Sequence, residues 1–156
     1  MNTSQQIAKH FREVHFGGNW TSVNLKALLS DISWQEATTK IVDTNTIATL
    51  VFHMNYYVHH VLAVLKGAPL TASDTFSFDL PPISNEAAWQ QLINTSLEEA
   101  ELFAQQIELL PEVKLMEDFT DLKYGNYYRN IHGIIEHTHY HLGQIALLKK
   151  IIKEKK

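Results

Sequence analysis

Apolar residues recur along this chain at steps of three and four, the period of an amphipathic helix, and four long stripes can be traced. Thr3 or Ser4 can cap a first helix carrying Ile7, Phe11 and Val14. Gly17-Gly18 interrupts it, and a second piece follows with Trp20, Val23, Ala27 and Leu28. Paired glycines weaken a helix by roughly 1 kcal/mol each relative to alanine, so a kink or a break is expected there. Residues 30–44 are mixed and polar and predict a loop with a short helical turn over Trp34–Thr38.

The second helix is predicted from Asn45 to Lys66, with Thr44 or Asn45 as N-cap and Gly67 as the stop. Its stripe is Ile47, Leu50, Met54, Tyr57, Val61 and Leu65, and His53 falls at the edge of that inward face. Residues 67–84 hold Pro69, Pro81 and Pro82, have no helical period, and predict an extended connection. Ser84 or Asn85 caps a third helix with Trp89, Ile93, Ser96, Ala100, Phe103, Ile107 and Leu110, and Pro111 ends it. After a polar stretch to Asn126, a fourth stripe runs through Tyr127, Ile131, Ile134, Thr138, His141, Ile145, Leu148 and Ile152.

Four such helices in 156 residues predict an all-α four-helix bundle, one domain over residues 1–156. The second helix would be about 33 Å long at ~1.5 Å per residue. The 67–84 connection can cover about 59 Å at ~3.3 Å per residue, enough to cross the bundle and leave the second and third helices parallel.

Composition narrows the function classes. The apolar fraction is 45% and the charged fraction 19%, values of a chain that folds. The net charge of −4 argues against a nucleic-acid partner. The end, from Lys149 to Lys156, is basic, and cations in a last helical turn complement the helix dipole. No run approaches the ~20 apolar residues of a membrane span, and the first ten residues hold no apolar signal core, so a cytoplasmic location is expected. There is no cysteine, which leaves nitrogen and oxygen ligands for any metal site.

The chemistry concentrates in the fourth helix. His137 and His141 are one turn apart on a stripe that is otherwise apolar, and neutral imidazole is a common ligand for divalent metals. If the fourth helix passes His53 of the second, three imidazoles converge with coordination positions left open, as in a catalytic metal site. An antiparallel first helix would place the glycine break, with Asn19 and Trp20, beside His53.

The stretches Ile47-Ala-Thr-Leu-Val-Phe-His53-Met-Asn-Tyr-Tyr57 and His137-x-x-x-His141-x-Gly143-Gln144-Ile145, with Gly17-Gly-Asn-Trp20, resemble the DinB/YfiT-like four-helix-bundle proteins. The resemblance runs over nearly the whole chain. It implies an up-down-down-up bundle with the long crossover between helices two and three. It implies one divalent metal per chain on His53, His137 and His141, zinc or nickel first and iron or manganese as alternatives. It also implies a homodimer, for which Val51, Phe52 and Val58 offer apolar positions outside the main stripes.

Some members of that family join a small thiol to an electrophile, so a metal-dependent thiol transferase is the expected activity, with a non-catalytic metal-binding stress-response or sensor dimer as the alternative. Many relatives carry arginine directly after the last ligand, where this chain has Leu142. Asn19, Trp20 and Tyr57 are the candidate pocket residues. Tyr57 reads either as a core aromatic or as a proton donor, Trp20 as a core anchor or a pocket wall, and Gly143 as a point of close helix approach. His132 and His139 are expected to point away from the metal, His60 to lie on the His53 side but two turns too far to ligate, His59 to be solvated or packed, and His10 and His15, on the first helix, not to be ligands.

Overall fold

Short polar side chains decide where the helices of this computed structural model begin. Residues 1–154 are described, and they form six α-helices: α1 Thr3–Phe16, α2 Leu25–Leu29, α3 Trp34–Thr38, α4 Ile47–Leu65, α5 Glu86–Leu109 and α6 Tyr127–Glu154. Asn2, Thr46 and Asn85 each accept a hydrogen bond from the backbone three residues on, capping α1, α4 and α5. Asn126 does the same for Arg129 at the start of α6. The caps of α1 and α4 sit one residue from the positions read from sequence.

Gly17 and Gly18 have φ of 119° and 100°, a region open to glycine, so the first stripe breaks instead of bending. Asn19 then ties the loop together. Its amide donates to the carbonyls of Glu13 and Val23, and its oxygen accepts from Thr21. Trp20, expected as a core anchor or a pocket wall, is 100% exposed on this loop.

The four long helices close a ring: α1 packs on α5, α5 on α4, α4 on α6, and α6 on α1. Phe11 of α1 meets Phe103 of α5 edge-on at 4.7 Å, and Trp89 is fully buried with its indole N–H donating to the carbonyl of Ile32 at 2.7 Å. At the surface, Arg12 bridges Glu101 and Glu108 of α5. Val51 and Val58, expected on an exposed face, are buried, because α4 is covered by α3, α5 and α6 together. Gly143 is not a close-approach point either: a Cβ there would meet nothing within 4 Å.

Residues 67–84 carry one 3₁₀ turn, Asp74–Phe76, and lie across the α4 side of the bundle, where Ser73 N–H donates to the Tyr56 hydroxyl. The basic end is partly committed. Lys149 bonds the carbonyl of Leu28 and pairs with Asp31, and Lys153 reaches Asp31 and Glu36, fastening α6 to the α2–α3 region. Lys155 and Lys156 lie outside the described residues. Among the described residues there is no strand, only an isolated bridge between Asp118 and Asn126, and no helix is long and apolar enough to cross a membrane.

Candidate metal centre

His137 and His141 project from one face of α6 toward α4, where His53 meets them. The Nε2 atom of His137 lies 3.0 Å from Nε2 of His53 and 3.0 Å from Nε2 of His141. The three ligand atoms fall within 4.8 Å of one another, so the group could hold a metal ion. Zinc–nitrogen bonds of ~2.0–2.1 Å at a tetrahedral angle separate neighbouring nitrogens by about 3.3 Å, close to the spacing found here.

The outer hydrogen bonds sharpen the fit. The His53 Nδ1–H donates to the carbonyl of Ser77, at 3.3 Å, and the His141 Nδ1–H donates to Oε1 of Gln144, at 2.6 Å. Each bond puts that ring's proton on Nδ1 and turns a bare Nε2 lone pair inward. His137 can offer one proton at most to two such lone pairs. Its own Nδ1 is buried with no hydrogen-bond partner among the described residues. A cation at the centre of the three Nε2 atoms satisfies all of them, and a metal fits this donor set.

Burial keeps the rings neutral. Desolvation lowers the pKa of all three, and the neighbouring histidines push His137 further, to about 4. All three rings are therefore unprotonated at neutral pH, the state that ligates.

Phe78, on the connection between α4 and α5, stacks on His53 at 3.9 Å between centroids with 11° between the planes. Tyr57 stands 5.0 Å from the His137 ring, and its hydroxyl donates to Asp74 at 2.5 Å. Desolvation and that bond raise the Tyr57 pKa, so it keeps its proton. Beside His137 a cavity of about 890 Å³ opens, with Tyr57, Asp74 and Glu136 at that end.

The structure thus brings together His53, His137, His141 and Tyr57. It leaves Asn19 in the α1–α2 loop and Trp20 in solvent, and Leu142 is buried in the core. His139 faces His10, His15 is buried against Phe11, His59 pairs with Glu99, and His60 bonds Thr71. Sequence reasoning missed Gln144 as the partner of His141, although three residues apart is one turn on a helix face. It also missed Ser77 and Phe78, which no period could reveal. Comparison with family models, curated proteins and solved structures gives no match for this chain.

Proposed function

We propose that the chain is a metal-dependent enzyme of the DinB/YfiT-like kind, a transferase that joins a small thiol to an electrophile at the three-histidine site. The observation that carries this reading is the pairing of three inward-facing Nε2 atoms with an open cavity at His137. A closed structural site would have no such space beside it.

The up-down-down-up bundle belongs to the same reading and has support in the pairings between helices. Arg12, in α1, pairs with Glu101 and Glu108 late in α5, while the Thr3 amide donates to Glu112 just beyond α5, which suits antiparallel helices. His53 beside His137 and His141, with Val61 and Ile134 lining one cavity, suit an antiparallel α4 and α6. The proposed homodimer rests on the resemblance, and sedimentation velocity at micromolar concentration checks it.

A metal held by three neutral imidazoles supplies a Lewis acid that stabilises a thiolate near neutral pH, and zinc or nickel suits the donors. With no cysteine in the chain, the thiol must come from solution. The protein's own residues hold the site: Gln144 and Ser77 fix two ring orientations, Phe78 covers His53 on one side, and the protonated Tyr57 offers a hydroxyl at the cavity rim.

The test uses protein purified without a nickel column. Metal analysis should find about one divalent ion per chain, sharply reduced by His141→Ala. Incubation with bacillithiol, glutathione or cysteine and monochlorobimane should give conjugate above background, lost in His53→Ala. Full metal occupancy without conjugation by any thiol would support the metal-binding dimer instead.

A further inference from the structure

The cavity beside His137 extends well away from the three histidines, along one side of α6. Its lining is largely apolar and aromatic, Val61, Leu70, Phe119 and Ile134 included, and its charges are separated. Asp74 and Glu136 stand at the His137 end, and Arg129 stands at the other. Arg129 and His137 are eight residues apart on α6, about 12 Å along the axis.

Arg129 has no ion-pair partner among the described residues; its side chain is exposed, and no carboxylate answers its charge. It is nevertheless placed. Its stem lies over Gly125, where an added Cβ would come within 2.8 Å of Arg129 Cδ. Gly125 has a φ of 75°, so the turn before α6 both needs a glycine and leaves room for this side chain.

Gly133 carries the argument further. It lies inside α6 between the two ends of the cavity, where glycine is the poorest helix former after proline. Close packing does not explain it, because a Cβ at 133 would meet no atom within 4 Å. That missing side chain keeps the cavity floor clear. His132, beside it, also lines the cavity, and its Nε2 is buried with no partner among the described residues.

We infer that this cavity binds an elongated organic carboxylate, with its acid group on Arg129 and its apolar body over Gly133, reaching toward His137. Charge sets the direction. Asp74 and Glu136 repel an anionic group from the histidine end, while a fork of guanidinium donors matches a carboxylate at the far end. That this carboxylate is the electrophile rests on the transferase reading above; its binding does not.

The experiment is calorimetric titration with phenylhexanoate and with its neutral amide, phenylhexanamide, on the full chain treated with chelator. The acid should bind at least about tenfold more tightly than the amide. Arg129→Gln, an exposed change that spares the core, should abolish that difference. Gly133→Leu should remove binding of both, and Gly133→Ala, a better helix former, should weaken both while circular dichroism shows an intact helix content. His53→Ala, titrated as purified and after chelator, should keep the wild-type preference for the acid in both, which separates this site from the metal reading. Equal affinity for acid and amide, no binding of either, or unchanged binding in both Gly133 variants would overturn the inference.

Discussion

Gln144 Oε1 accepts the Nδ1 proton of His141 across 2.6 Å, so the ring's other nitrogen faces His53 and His137 as a lone pair. Partners of this kind typically contribute 10- to 100-fold in metal affinity. Gln144→Leu should therefore weaken zinc binding by about that factor while His53, His137 and His141 remain in place. Gln144→Glu, which keeps an acceptor, should retain it. Competition against a chelating dye measures both, and ¹⁵N shifts of His141 should report a changed tautomer in the leucine variant only.

Metal binding should be lost in acid, but late. Protons compete with the metal only where the ligands titrate in the metal-free fold. Their pKa values are lowered from the usual ~6.5, that of His137 to about 4. Affinity should stay nearly level from about pH 7.5 to 6.5 and fall most steeply between about pH 6 and 4. A titration of occupancy by equilibrium dialysis checks this, and loss complete by about pH 6 would contradict the burial of His137.

His15 should contribute a separate acid sensitivity to folding. Its ring is wholly buried, donates from Nδ1 to the carbonyl of Phe11, and has a pKa lowered to about 4 by desolvation. Between about pH 6.5 and 4 the unfolded chain binds the extra proton, so stability rises with pH through that window. The contribution is fully present above about 6.5. It is lost progressively as pH falls to about 4, for a total of about 3 kcal/mol. Urea unfolding of chelator-treated protein should show this slope, reduced by that amount in His15→Phe.

Trp89→Phe should cost stability beyond the lost ring area. The substitution leaves the carbonyl of Ile32 without its indole donor, in a place where Trp89 is wholly buried. An unpaired buried acceptor costs about 1–3 kcal/mol. The urea midpoint should fall accordingly, with the His53–His137–His141 zinc affinity unchanged.

The long helices were legible because period and caps agree. α5 begins one residue after Asn85, one of its two candidate caps, and α4 spans Ile47–Leu65 inside its expected limits. That His137 and His141 share one face was legible from spacing, while their place in a metal site was read from the resemblance. His53 needed the register between two helices, which a sequence states only through resemblance. What failed has physical causes. Trp20 is large and apolar, yet a glycine pair turned its segment out of the helix. Val51 and Val58 lie off the main stripe of α4, but that helix is enclosed on several sides, so position relative to one stripe does not predict exposure. Ser77 and Phe78 act on His53 from a segment with no repeating pattern, where only the folded path of the chain brings them near.

The three candidate ligands come from α4 and α6, and His53 and His137 are 84 residues apart. In the unfolded chain His53 is a stranger to the other two, and His137 and His141, four residues apart, keep only a weaker two-imidazole site. A divalent ion that bound all three would therefore add most of its binding free energy to the native state. At a free-ion concentration one hundred times the dissociation constant, that would be at most about 2.7 kcal/mol. For such a protein the melting temperature should rise with free metal, so that its persistence in solution would be set by the supply of an ion as well as by its own sequence.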